Sequence, residues 1–218
     1  MKLRIALAAT LALFVTATQA EATFLAPGTT VTPDSTPLAG TDVLLATTGV
    51  QTFSFLTGTG TDTGTFTESV YRSAAGTIDL TLQVTNNATS FTSLEVVAPA
   101  DFAIGGNSIT TDVSATGPGV APTSAFRGGL NGGRVLQFNF SGSAAAEIAP
   151  GQQSQLLIVR TNGTSFTTGT AGISDGGATT VAGYSPLAAP SVPEPASVCL
   201  MGLGLAGSLL LRKRMRTA

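Results

Sequence analysis

The feature that most constrains the fold is a strict alternation of apolar and polar side chains over residues 76–85, GTIDLTLQVT. Every second residue from Ile78 to Val84 is aliphatic, and the residues between them are aspartate, threonine and glutamine. A period of two is typical of a β-strand that has one face in a core and one face in water. Because residues 21–190 contain no long segment with a helical period, the sequence predicts an all-β domain.

Short runs of strand-forming residues recur along this region and are separated by turn-forming residues. Asn131-Gly132 and Asp175-Gly176, for example, supply the positive φ angles that tight hairpins require. We therefore expect a single antiparallel β-sandwich of about 8–10 strands over residues 21–185. The predicted strands are residues 42–46, 51–56, 65–72, 76–85, 91–98, 109–113, 134–140, 155–161 and 179–184.

The first 20 residues have the composition of a targeting segment. Lys2 and Arg4 provide a positive start, residues 3–15 are almost all apolar, and small residues precede Ala20 and Ala22. This order predicts a secretory signal peptide that is cleaved after Ala20 or Ala22, so that the remainder is exported. The alternative is a retained membrane anchor, but a spanning helix needs about 20 apolar residues, more than this run provides.

A second apolar segment lies near the other end of the chain, where residues 196–211 contain no charge. At about 1.5 Å per residue such a helix spans about 24 Å, slightly less than the hydrocarbon core of a bilayer. We predict a short transmembrane helix over residues 196–211 and a basic cytoplasmic tail over residues 212–218, because positive residues remain on the cytoplasmic side. The residues that stop transfer are Arg212, Lys213, Arg214 and Arg216.

A proline-rich stalk, residues 186–195, precedes this helix and ends in the tripeptide Pro193-Glu194-Pro195. The two prolines hold the chain extended and prevent the helix from starting earlier, which leaves the tripeptide accessible at the membrane surface. The order of tripeptide, short apolar helix and basic C-terminal end resembles the PEP-CTERM sorting signal of exported bacterial proteins. An ordinary single-pass anchor behind a proline-rich linker is the alternative interpretation.

The resemblance implies that the chain is a sorted cargo. In that family an integral-membrane processing enzyme, exosortase, recognises the signal, which is removed or exchanged as the protein passes to the cell envelope or exterior of a Gram-negative bacterium. Pro193, Glu194 and Pro195 would form the sorting and processing motif. The family's link to exopolysaccharide production implies association with biofilm. The expected partners are exosortase, the export machinery and extracellular polysaccharide, and the central region resembles β-rich ectodomains often attached to this signal.

The composition excludes several kinds of functional site. The chain has no histidine and one cysteine, which excludes histidine-based catalytic triads, histidine-ligated metals and an internal disulfide. Residues 21–190 contain no lysine, so a catalytic lysine in the domain is excluded as well. The small number of basic residues argues against nucleic-acid binding. We therefore expect no catalytic residues, no cofactor and no metal, and a structural or adhesive role at the cell surface or in the extracellular matrix.

The acidic residues of the domain leave one alternative open, a carbohydrate- or calcium-binding, adhesin-like module that stays anchored in the membrane. Aspartates in predicted loops supply the oxygen ligands that calcium prefers, whereas the absence of tryptophan argues against stacking on sugar rings. No pattern singles out a catalytic pair of carboxylates, and we expect most acids on solvated strand faces and in turns. The aspartates in predicted loops are Asp34, Asp62, Asp101, Asp112 and Asp175.

The formal net charge of −2 conceals an uneven distribution along the chain. Residues 21–190 contain 11 acidic and four basic residues, a net charge of −7, whereas both terminal segments are positive. The terminal basic residues match the requirements of membrane topology. The exported part is predicted to be acidic and free of lysine, which favours solubility and disfavours direct contact with anionic polymers.

Overall fold

A computed structural model describes most of the central part of the chain. The described residues are 23–58, 60–88, 94, 96–99, 102, 109–128, 133–143 and 145–187. They contain no helix, and therefore none that is long and apolar enough to cross a membrane. The predicted signal peptide, processing motif, transmembrane helix and basic tail lie outside the described residues.

The described residues form thirteen β-strands, two of them only two residues long. The strands are β1 (Thr23–Phe24), β2 (Thr30–Val31), β3 (Val43–Thr47), β4 (Gln51–Leu56), β5 (Thr61–Arg72), β6 (Ile78–Asn86), β7 (Val96–Pro99), β8 (Thr111–Thr116), β9 (Ser124–Arg127), β10 (Leu136–Asn139), β11 (Leu156–Thr161), β12 (Ser165–Ser174) and β13 (Ala178–Leu187).

The strands pair into two antiparallel sheets. The first sheet has the order β1-β8-β11-β6-β5-β3, and β4 pairs with the first half of β5 while β3 pairs with its second half. The second sheet has the order β13-β12-β7-β10-β9-β2. The predicted all-β, antiparallel architecture is therefore confirmed for the described residues.

One hydrophobic core is formed by the inner faces of both sheets. The aliphatic residues from Ile78 to Val84 on β6 are fully buried, as their alternation predicts. Phe66 on β5 belongs to the same cluster, as do Phe138 on β10 and Ile173 on β12. Because successive side chains of a strand point to opposite faces, this core also defines which residues face outwards.

The number of strands exceeds the predicted 8–10, because some strands have no apolar alternation. β12 has the sequence SFTTGTAGIS, in which threonine and glycine predominate. It is nevertheless ten residues long and pairs with β7 on one side and β13 on the other. β9 and the first four residues of β5 were also not predicted, whereas β4 has the bounds expected from the sequence.

Candidate functional site

A row of chemically distinct side chains crosses the outer face of the first sheet. Asp79 alternates with the core residues of β6 and pairs with Arg160 on β11, which pairs in turn with Asp112 on β8. Asp112 also pairs with Phe24 on β1. Residues directly opposite each other in neighbouring strands point to the same face, with Cβ atoms about 5 Å apart. The register therefore places an acid, an arginine, a second acid and an aromatic ring side by side.

Arg160 fixes a chain segment, residues 34–42, over this row. Its Nη2 donates to the carbonyl oxygens of Thr36 at 3.0 Å and Pro37 at 2.8 Å, and its Nη1 donates to Ser114 Oγ at 2.8 Å. Ser114 Oγ in turn donates to the carbonyl oxygen of Thr36 at 2.8 Å. Because a guanidinium offers several donors in a rigid plane, Arg160 holds the covering segment on the sheet at two carbonyl groups, and Ser114 adds a third hydrogen bond.

An open cleft of about 1090 Å³ lies between the covering segment and the sheet. Its lining includes the carboxylates of Asp42, Asp79 and Asp112, the guanidinium of Arg160 and the ring of Phe24, which is 55% exposed. Three carboxylates against one guanidinium make the cleft negative when all of them are ionised. The cleft therefore favours a ligand that donates hydrogen bonds or bears positive charge and that has an apolar face for the ring.

The charge of this cleft depends on pH through Asp79. Only 4% of Asp79 is exposed, and this burial is the main reason why its pKa is raised from 3.8 to about 6. The negative charges of Asp42 and Asp112 raise the pKa further, while Arg160 and a hydrogen bond with the backbone of Thr161 lower it. Asp79 is consequently about half protonated near pH 6.

The described residues do not bring the suggested calcium ligands together. Within this part of the chain, no three or more acidic or thiol side chains are arranged to hold a metal ion. Asp34 lies in the covering segment, Asp112 on β8, and Asp175 in the turn between β12 and β13. Asp101 lies outside the described residues.

Three acidic residues are exceptions to the expectation that most acids occupy solvated positions. Asp62 was expected in a loop, but it lies on β5 and is fully buried on the inner face together with Glu68. Asp79 is buried beneath the covering segment. Phe66 lies at an even-numbered position of β5 and faces the core, so positions 62 and 68 must face the core as well.

The sequence did not identify Asp79, Arg160 and Phe24 as members of one site. Arg160 directly follows four apolar residues in the sequence LLIVRT of β11, and an arginine next to such a run was the available signal. The row itself depends on the register between strands that are far apart in sequence. That register cannot be derived from the alternation within any single strand.

The sorting residues Pro193, Glu194 and Pro195 lie outside the described residues, as do Arg212, Lys213, Arg214 and Arg216. Comparison with protein families nevertheless identifies this segment, because the family model described as the PEP-CTERM protein-sorting motif matches residues 191–214. No curated protein and no solved structure shows a significant match to the chain.

The matched motif confirms the resemblance drawn from the C-terminal residues. It implies export to the cell envelope and sorting that depends on exosortase, a membrane enzyme that processes the signal. The match begins at residue 191, shortly after β13 ends at Leu187. Three residues of sequence therefore separate the last described strand from the sorting signal.

Proposed function

We propose that this chain is an exported, non-enzymatic protein of the cell surface or extracellular matrix, processed by exosortase and associated with exopolysaccharide in biofilm. The observation that supports this function is the PEP-CTERM motif at residues 191–214, behind a β-domain of two sheets. The lack of histidine in the chain and of lysine in residues 21–190 supports a non-enzymatic role, since the commonest catalytic bases and nucleophile activators are absent.

The proposed sorting mechanism divides the chain into consecutive functional segments. Residues 1–20 direct export across the inner membrane of a Gram-negative bacterium and are cleaved after Ala20 or Ala22. The apolar segment 196–211 and the basic residues behind it stop transfer, which leaves the β-sandwich outside the membrane. The predicted stalk, residues 186–195, is shortened at its start, because Pro186 and Leu187 belong to β13, and its remaining residues present Pro193-Glu194-Pro195 to exosortase.

We expect the mature protein from its native host to lack residues 196–218, and to retain them when the exosortase gene is deleted. The intact mass of the protein measures this loss together with any group added at the new C-terminus. Glu194→Gln removes the charge between the two prolines and should leave most of the protein unprocessed. Glu147→Gln, the same substitution on the described domain, should be processed like the native chain. Retention of residues 196–218 with exosortase present would contradict the proposed sorting.

The cleft on the first sheet supports a second candidate function, a carbohydrate-binding module. A neutral sugar has hydroxyl donors for carboxylates such as Asp42 and Asp112 and an apolar face for Phe24. This function is compatible with export. Sugar binding is a property of the domain, whereas the sorting signal determines where the protein is sent.

We expect the full chain to be retained on an immobilised exopolysaccharide from its host and Phe24→Ala to bind about tenfold more weakly, which corresponds to about 1.4 kcal/mol. Phe24 is the aromatic residue in the lining of the cleft, so its ring offers the flat apolar face against which a sugar can stack. Val135→Ala provides the control, because Val135 is exposed to a similar degree and is not among the residues that line the cleft. Equal retention of Phe24→Ala and the native chain would exclude the cleft as the sugar site.

A further inference from the structure

The free edge of β13 is bound by side chains of the first sheet. β13 is the edge strand of the second sheet and pairs with β12 on one side only. On its other side, Gln51 Nε2 donates to the carbonyl oxygen of Ala182 at 2.7 Å, and Ala182 N donates to Gln51 Oε1 at 3.1 Å. Tyr184 N donates to Glu68 Oε2 at 3.2 Å. Gln51 and Glu68, here called the clamp, thus replace the neighbouring strand that this edge lacks.

Glu68 occupies an unusual position for a carboxyl group. It is fully buried, and its Oε1 has no hydrogen-bond partner in the described structure. Gly183 leaves the space that this carboxyl group occupies. A Cβ at position 183 would collide with Glu68 Oε2. One backbone donor therefore compensates only part of the cost of burying an ionised carboxylate.

Among the described residues, no positively charged side chain affects the pKa of Glu68. Strands β3, β4, β7, β12 and β13 contain no charged residue, and β6 contains Asp79, which faces outwards. β5 itself contains two other charged residues, Asp62 and Arg72, the second at its end. At about 3.3 Å per residue, Asp62 lies about 20 Å from Glu68 along the same face. The phenol of Tyr184 is the titratable group of β13. Burial raises the pKa of Glu68 to about 8, and the hydrogen bond from Tyr184 N lowers it only in part.

We propose that the clamp is a proton-dependent latch, in which protonated Glu68 holds β13 against β4 and β5 and ionised Glu68 loosens it. This proposal does not depend on which enzyme processes the sorting signal. The latch acts, however, on the strand that precedes residue 191, where the sorting motif begins. β13 has 10 residues, so its release would add up to about 33 Å to the tether between domain and membrane, at about 3.3 Å per residue.

The direction of the pH effect follows from the difference in pKa between the two states. The pKa of Glu68 is about 8 while β13 is docked, and it returns to about 4.5 once Glu68 is exposed to water. The docked state therefore binds an additional proton between these values, and docking weakens as pH rises through this window. Below pH 4.5 the latch is fully closed, and above pH 8 it stays weakened by a constant amount.

Hydrogen exchange of the full chain tests the latch without any substitution. After correction for intrinsic rates, the protection of the Ala182 and Tyr184 amides should fall about twentyfold from pH 6 to pH 7.5, and less than about fivefold more by pH 9. Amides of β9 and β10, elsewhere in the second sheet, should stay better protected than those of β13 at every pH, because β13 is released without them. A flat profile at β13 would overturn the proposal, as would equal protection of β9, β10 and β13, which would indicate that β13 opens only when the whole domain unfolds.

Glu68→Gln provides the second test, because an amide of the same shape does not ionise. The protection of the β13 amides in this variant should be independent of pH between 6 and 9. Glu147→Gln is the matched control, since Glu147 is the other glutamate among the described residues, and it should retain the native slope. A native slope in Glu68→Gln would assign the pH dependence to another group and overturn the latch.

Discussion

We expect Gly64→Ala to lower the melting temperature of the full chain by about 6–12 °C, the equivalent of about 3 kcal/mol for a domain of this size. Gly64 lies on the inner face of β5, between β4 and β6. A Cβ at this position would collide with the carbonyl oxygen of Thr85 and with the ring of Phe53. Neither group can move away easily, because one belongs to a paired strand and the other is packed in the core. Thermal unfolding followed by circular dichroism measures the effect.

Gly172→Ala is the matched control for this prediction. Gly172 also lies in a strand that is paired on both sides, since β12 has β7 and β13 as neighbours. The atom nearest to a Cβ there would be the carbonyl oxygen of Ala98, at an ordinary contact distance of 3.8 Å. Alanine should therefore leave stability unchanged or raise it slightly, because it restricts the unfolded chain. Equal losses in the two variants would show that the collision at Gly64 is not the cause.

Gly64 also illustrates which parts of the fold were predictable from sequence. A strand such as β6 could be located because its aliphatic residues define a buried face, and β4 could be located for the same reason through Phe53 and Phe55. The first residues of β5, Thr61 to Gly64, lack that signal and were not predicted. They form a strand because β4 and β6 pair with them on both sides. Pairing between distant segments thus determined the strands that local pattern did not.

The candidate site was less predictable than the strands for a related reason. Asp79, Arg160 and Asp112 are adjacent only because three strands align in one register. The burial of Glu68 could have been derived from the phase of β5, since Phe66 and Val70 mark its inner face. The contact of Glu68 with Tyr184 could not, because it depends on how the edge of one sheet meets the other.

The second large effect on stability is expected from substitution of Arg160, in the row of side chains on the outer face of the first sheet. We expect Arg160→Ala to destabilise the domain by about 3 kcal/mol, because the covering segment loses its hydrogen bonds to the guanidinium and the cleft that holds three carboxylates loses this positive charge. Arg160→Lys should be intermediate, since lysine keeps the charge but cannot reproduce the planar set of donors. Arg72→Ala, at an exposed position at the end of β5, should cause little change.

The pH dependence of this loss distinguishes the charge of Arg160 from its hydrogen bonds. Arg160 lowers the pKa of Asp79, so its removal should raise that pKa above about 6. A carboxyl group whose pKa is raised in the folded state destabilises the domain as the pH rises through that raised pKa. The loss in Arg160→Ala should therefore be greater at pH 8, where native Asp79 is ionised, than at pH 5, where it is mostly protonated. Denaturant unfolding at the two pH values measures this difference, and equal losses would mean that Arg160 stabilises the covering segment through its hydrogen bonds alone.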